Sequence, residues 1–124
     1  MKHTALPHNH NAQTNLEDIK SQLLQAEHFE TVANIFKQLS DTTRLRIFWL
    51  LCHTEQCVIN ISTLMNMSSP AVSHHLRVLR SCGLIESRRE GKEVYYRAAD
   101  DRQAQLLHKT IEQVMAIACP EGKE

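Results

Sequence analysis

Aromatic side chains are scarce in this chain: one Trp, two Tyr and three Phe, 5% of 124 residues. Any core it builds must be mostly aliphatic. Net charge is missing too, since 14 Lys+Arg balance 14 Asp+Glu. Overall charge therefore gives no sign of a nucleic-acid partner, and any basic patch must be local. No apolar run approaches the ~20 residues of a membrane span. Residues 1–15, MKHTALPHNHNAQTN, lack the apolar core of a signal peptide. A cytoplasmic protein without a membrane partner is expected, and there its four cysteines (Cys52, Cys57, Cys82, Cys119) stay reduced. They contain no CxxC pair, which speaks against a zinc knuckle. A glycine-rich phosphate loop, a nucleophile elbow and a paired-carboxylate motif are all absent, so no enzyme is expected.

What is present is organised. The length points to one domain, and a chain this short often adds a dimer interface to a modest core. Residues 1–14 read as a flexible polar arm carrying His3, His8 and His10, residues 15–119 as the folded domain, and 120–124 as a tail. Leu16, Ile19, Leu23, Leu24, Phe29, Val32, Ile35, Phe36 and Leu39 recur at helical spacing, with a slip near Glu27–His28. Asn15 is the expected N-cap. Ser40-Asp41 caps a helix that is apolar nearly all round through Leu51 and ends at Thr54-Glu55-Gln56. Asn60 or Ser62 starts a short helix to Met67.

Ser68 to Arg97 is the most telling stretch. Ser69 suits an N-cap and Pro70 the first helical position. Val72, Leu76 and Leu79, with Val78, face inward, leaving Ser73, His74, Arg77 and Arg80 largely outward. Gly83 ends the helix. Two strand-like segments, 84–88 and 93–97, are joined by Arg89-Glu90-Gly91-Lys92, with Gly91 supplying a positive φ. Six cations against three anions give this stretch net +3, so the remainder is net −3 and charge is segregated. Asp100-Asp101 caps a last helix whose broad apolar face, including Ala104, Leu107, Ile111, Val114 and Ala118, suits a partner subunit.

Two short helices joined by the MNMSS turn fit a helix-turn-helix. The second would place its N-terminal residues against base edges in the major groove. Arg77 can fork onto guanine or phosphate, while Arg88, Arg89 and Lys92 on the hairpin suit phosphate or the minor groove. An ordinary surface helix beside an exposed hairpin is the plain alternative, and the element order with charge segregation weakens it.

The stretch SPAVSHHLRVLRSCGLIESRREGKEVYYR, with the upstream LSDTTRLRIFWLLCHTEQCVINIS, resembles the winged-helix core of the ArsR/SmtB family of bacterial metal-responsive repressors, over about residues 30 to 115. The resemblance implies a mainly α fold with a small β-hairpin wing. It implies a homodimer paired through its first and last helices, bound to palindromic double-stranded operator DNA and released by an inducer. Recognition residues carry over to Ser69, Ser73, His74 and, more loosely, Arg77.

The family's sensing sites carry over less completely. Glu55-Gln56-Cys57-Val58-Ile59-Asn60 resembles the family's ELCVC box, keeps its first cysteine as Cys57, and has Ile59 and Asn60 in place of the second cysteine and the acid. One cysteine cannot fill a thiolate site for As(III) or Cd(II). His8 and His10 could complete a zinc- or nickel-type site with Cys57 of the other subunit. On the last helix Asp100-Asp101-Arg102-Gln103 keeps the acid of the family's zinc site and loses the histidine. His108 and Glu112, four apart, share a face, and Cys119 lies near it; these three form a non-standard candidate site at the dimer interface. Cys52, Cys82, His28, His53 and His75 are expected to be packing or surface residues. The expected inducer is zinc, nickel or cadmium. The same fold sensing oxidants or another non-metal signal through cysteines, such as Cys57 with Cys52 or Cys119, is the alternative.

Overall fold

The computed structural model describes residues 6–8, 10 and 15–120. The expected flexible arm falls mostly outside these residues, as does most of the tail. Contacts group the chain into two units, residues 1–36 and 37–124.

The first unit holds α1 (Leu16–Leu23) and most of α2 (Ala26–Leu39). Asn15 caps α1 by accepting from the Asp18 N–H at 3.1 Å. The break falls at Leu24-Gln25, slightly before the slip seen in the sequence. Phe29, Val32 and Phe36 remain exposed on α2.

In the second unit, α3 (Thr42–His53) is followed by β1 (Gln56–Cys57), α4 (Val58–Met65), α5 (Ser69–Ser81), β2 (Ile85–Glu90), β3 (Glu93–Ala98) and α6 (Arg102–Ala118). Asp41 and Asp101 cap α3 and α6 as expected, each accepting an N–H three residues on at 2.9 Å. The core is Ile47, Phe48, Leu51, Ile61, Val72, Leu76, Leu79, Leu84 and Ala104, all 2% exposed or less. It holds a single aromatic ring, as the composition required. Each of these side chains larger than alanine contributes about 1.5–3 kcal/mol by leaving water.

Several boundaries differ from the sequence reading. Helix α4 begins at Val58 rather than at Asn60 or Ser62, with Cys57 at its N-cap and no side-chain cap bond. Ser68, not Ser69, caps α5 by accepting from Ala71 N–H at 3.3 Å, so Pro70 stands at the second helical position. Arg89 and Glu90 belong to β2, and the hairpin closes through Gly91-Lys92 alone, between the paired Glu90 and Glu93. Gly91, at φ +64°, supplies the positive angle a two-residue hairpin turn needs. The third strand, β1, was unforeseen; it pairs antiparallel with β3, giving the order β1-β3-β2. Two residues carry too little periodicity to register as a strand.

Candidate nucleic-acid interface and histidine cluster

The turn between α4 and α5 is closed from both sides. Asn66 adopts the left-handed conformation at φ 55°, which asparagine tolerates better than most residues. The Met67 N–H then reaches back to the Ser62 carbonyl at 3.0 Å. Ser62 and Ser69 hydroxyls meet at 3.1 Å, tying the two helices together.

Helix α5 buries Val72, Leu76 and Leu79 and presents His74, Arg77 and Arg80 to solvent, with Ser73 half-buried. Ser69 is exposed, its hydroxyl shared with Ser62. No carboxylate pairs with Arg77 or Arg80 among the described residues. Ser73, Arg77, Arg80 and Tyr96 border one hollow where the helix meets β3.

A buried arginine holds this helix in place. Arg44 on α3 is 9% exposed. Its Nε donates to His75 Nδ1 at 3.2 Å, and its Nη1 donates to the Gln38 carbonyl and side-chain oxygens at 3.1 and 3.0 Å. Burial lowers the His75 pKa, the Arg44 and His74 charges add to that, and Asp41 opposes it. A neutral imidazole is what the Arg44 contact needs, since Nδ1 must accept. The adjacent histidines therefore split: His74 faces out and His75 faces in.

On the wing, one of the expected phosphate contacts makes ion pairs within the chain. Arg88, expected to grip phosphate, is committed within the protein. It donates to both Glu55 carboxylate oxygens at 2.9 and 2.8 Å and to Glu90 at 2.7 Å, and its guanidinium lies 4.9 Å from the Tyr95 ring centre. The fork-to-fork geometry with Glu55 is the strong form of this pair, and it holds Glu55 below the ordinary carboxylate range. Arg97 is paired with Glu86 at 2.8 Å. Arg89 and Lys92 stay exposed and without an ion pair among the described residues.

The expected metal residues are only partly brought together. His108 and Glu112 meet on α6 at 3.3 Å. The third member is His53, the last residue of α3, at 3.3 Å from Glu112 and 3.1 Å from His108. All the potential ligand atoms lie within 4.8 Å of one another. Cys119 is not among them: it is the exposed C-cap residue of α6, roughly 10 Å of helical rise beyond Glu112. The Trp49 indole N–H donates to Glu112 at 2.7 Å. That bond, with the two histidines, holds the Glu112 carboxyl below its usual range. Cys57 is half-buried at the start of α4, with Ile59 65% exposed at the position of the missing cysteine. His8 and His10 stack on each other at 5.4 Å. Burial and the Glu112 charge push the Cys52 thiol up to about 11, which disfavours it as a redox nucleophile.

The profile described as bacterial regulatory protein, arsR family, matches residues 41–87. A cadmium resistance transcriptional regulatory protein CadC homolog of Staphylococcus aureus is 42% identical over 81 residues, 64% of this chain and 67% of that one. A transcriptional repressor SmtB homolog of Synechocystis is 33% identical over 97 residues, 78% of this chain and 74% of that one. The chain belongs to the ArsR family. Among solved structures, a homodimeric winged helix-turn-helix DNA-binding domain from Mycobacterium bovis, a possible ArsR-family regulator, aligns at 29% identity and TM-score 0.68, covering 91% of this chain and 97% of that one.

This ArsR-family chain is thus a winged helix-turn-helix DNA-binding transcription regulator and not an enzyme. No helix of the described residues is long and apolar enough to cross a membrane. Sequence reasoning missed the roles of Arg44, His53 and Glu55. Arg44 and Glu55 gave no signal in the sequence because their partners are distant: His75 is 31 residues from Arg44 and Arg88 is 33 from Glu55. His53 carried a weak signal, four residues after Trp49 and so on the same helix face.

Proposed function

We propose that this regulator represses transcription as a homodimer on two-fold symmetric operator DNA and is released by a metal ion. The observation that carries the DNA half is the face of α5: His74 and Arg77 outward with Ser73 half-buried beside them, without competing carboxylates among the described residues, on a helix fixed by Arg44 and His75. Ser73, His74 and Arg77 read base edges, with Ser69 at the helix entry. Arg80, Arg89 and Lys92 contact phosphates. The homodimer is supported by α6, which leaves Leu106 63%, Val114 55% and Ile117 81% exposed, a covering task for a second copy. With DNA as ligand, the working compartment is the cytoplasm.

Metal release is supported by the relatives' names, one a cadmium resistance regulator homolog and one a homolog of a transcriptional repressor. The thiolate-poor residues present fit zinc or nickel better than cadmium. Operator-binding titrations test the reading. Arg77→Ala is expected to weaken specific binding by ~1–3 kcal/mol, and Zn(II) or Ni(II) to lower operator affinity. An unchanged affinity for Arg77→Ala overturns the placement of the reading helix. Release by peroxide and by no metal overturns the metal half.

A further inference from the structure

We propose that His53, His108 and Glu112 form a three-ligand site, within one subunit, for a borderline divalent metal ion such as Zn(II), Ni(II) or Co(II). Its regulatory meaning rests on the metal-released reading above; its existence as a binding site does not.

The geometry is the first argument. Ligand atoms at 2.0–2.1 Å from a tetrahedral zinc-sized ion stand about 3.3 Å apart. The three separations here are 3.1, 3.3 and 3.3 Å, one face of such a tetrahedron. Both imidazoles point Nε2 at the same carboxylate oxygen, so the apices converge on one point rather than pairing off. Two imidazoles and a carboxylate are the donor set of open zinc sites, which leave a fourth position to water. That donor set also suits nickel and cobalt.

Support around the ligands is the second argument. Trp49 donates its indole N–H to Glu112 at 2.7 Å and packs its ring 4.1 Å from the His53 ring centre. Outer partners of this kind orient metal ligands, and their loss typically costs 10–100-fold in affinity. The cluster also borders a solvent-open cleft lined by Cys52, Glu55, Arg97 and Asp100, which gives an ion a way in.

Position supplies the consequence. The ion would clamp α6 to the last residue of α3. Two residues further on, Glu55 holds Arg88 of the wing, and Gln56-Cys57 forms the strand paired with β3. A clamp at His53 therefore acts on the segment that anchors the wing, and on the helix proposed to meet the second subunit.

The test uses the full-length metal-free protein titrated with Co(II) and Ni(II). Trp49 is the chain's one tryptophan, so its fluorescence reports occupancy in the unaltered protein. Quenching that saturates at one ion per subunit, with visible Co(II) d–d absorption, is expected. His53→Ala and Glu112→Gln should abolish both signals while the helical circular dichroism is kept. Trp49→Phe should weaken Co(II) binding by roughly 10–100-fold, and Cys57→Ala should leave it unchanged. A thiolate-to-Co(II) charge-transfer band, or binding that survives His53→Ala, overturns the site. Operator binding in the same samples judges the broader reading separately. Metal release that persists in His53→Ala leaves a metal-released repressor sensing elsewhere. Binding lost in His53→Ala, with wild-type operator affinity indifferent to metal, keeps the site and removes its proposed role as inducer.

Discussion

The recognition helix and the wing both carry arginines, and the structure treats them in opposite ways. On α5, Arg77 and Arg80 stand in solvent without a carboxylate among the described residues. On the wing, Arg88 is held by Glu55 and Glu90, and Arg97 by Glu86. The helix is anchored from behind, through Arg44 and His75, so its outward face stays free. The wing is anchored through its own cations. A positive charge counted in sequence is thus not the same as a positive charge available to DNA. A salt bridge already made must be broken before the guanidinium can meet a phosphate.

The largest expected effect breaks the helix side of this comparison. Arg44→Ala removes the donor to His75 Nδ1 and to the Gln38 oxygens, at about 0.5–1.5 kcal/mol for each hydrogen bond lost. Denaturant unfolding should show that loss, and Arg44→Lys should not restore it, because a lysine cannot reproduce the guanidinium's spread of donors. Operator affinity should fall as well, and an unchanged midpoint would mean that the anchor is dispensable.

Glu55→Gln sharpens the wing side. It removes the carboxylate fork from Arg88 and leaves Glu90 as its charged partner. Affinity for non-specific DNA should rise, and the slope of log K against log salt should steepen by up to about 0.9 per added phosphate contact in each subunit. A slope equal to wild type would show that Arg88 stays off the DNA even when released. Lys92→Ala is the converse and smaller change: specific and non-specific binding should weaken alike, with the slope reduced by about 1 per contact.

The smallest effect concerns pH. His75 has its pKa lowered below 6.5 in the folded chain. Between that lowered value and 6.5 the unfolded chain binds more protons, so stability rises with pH in that window. On acidification from neutral, the His75 contribution is lost as pH falls below 6.5. His75→Gln, which keeps an acceptor and cannot titrate, should show a flatter pH dependence of unfolding. Parallel curves would remove His75 as the source.

Legibility followed locality. Asn15, Asp41 and Asp101 were readable as caps because a cap bond spans three residues. The inward face of α5 was readable because helical periodicity is local, and Gly83 and Gly91 because their positive φ values serve turns of a few residues. The outward placement of His74 and Arg77 came from the same periodicity, while Ser73 is half-buried. The shared face of His108 and Glu112, four residues apart on one helix, was readable in the same way. Within one chain the side chain that joins them is His53, which is distant in sequence, and not Cys119.

The sequence by itself determined the order of helices, turn and hairpin, the aliphatic core, and which face of α5 looks outward. Each follows from backbone preference and periodicity within about twenty residues. Tertiary structure alone decided which arginines are free, that Arg44 is buried against His75, and that His53 joins His108 and Glu112. Those outcomes depend on charges and ring nitrogens brought together across 31 to 59 residues of chain, where only packing of the core sets who meets whom.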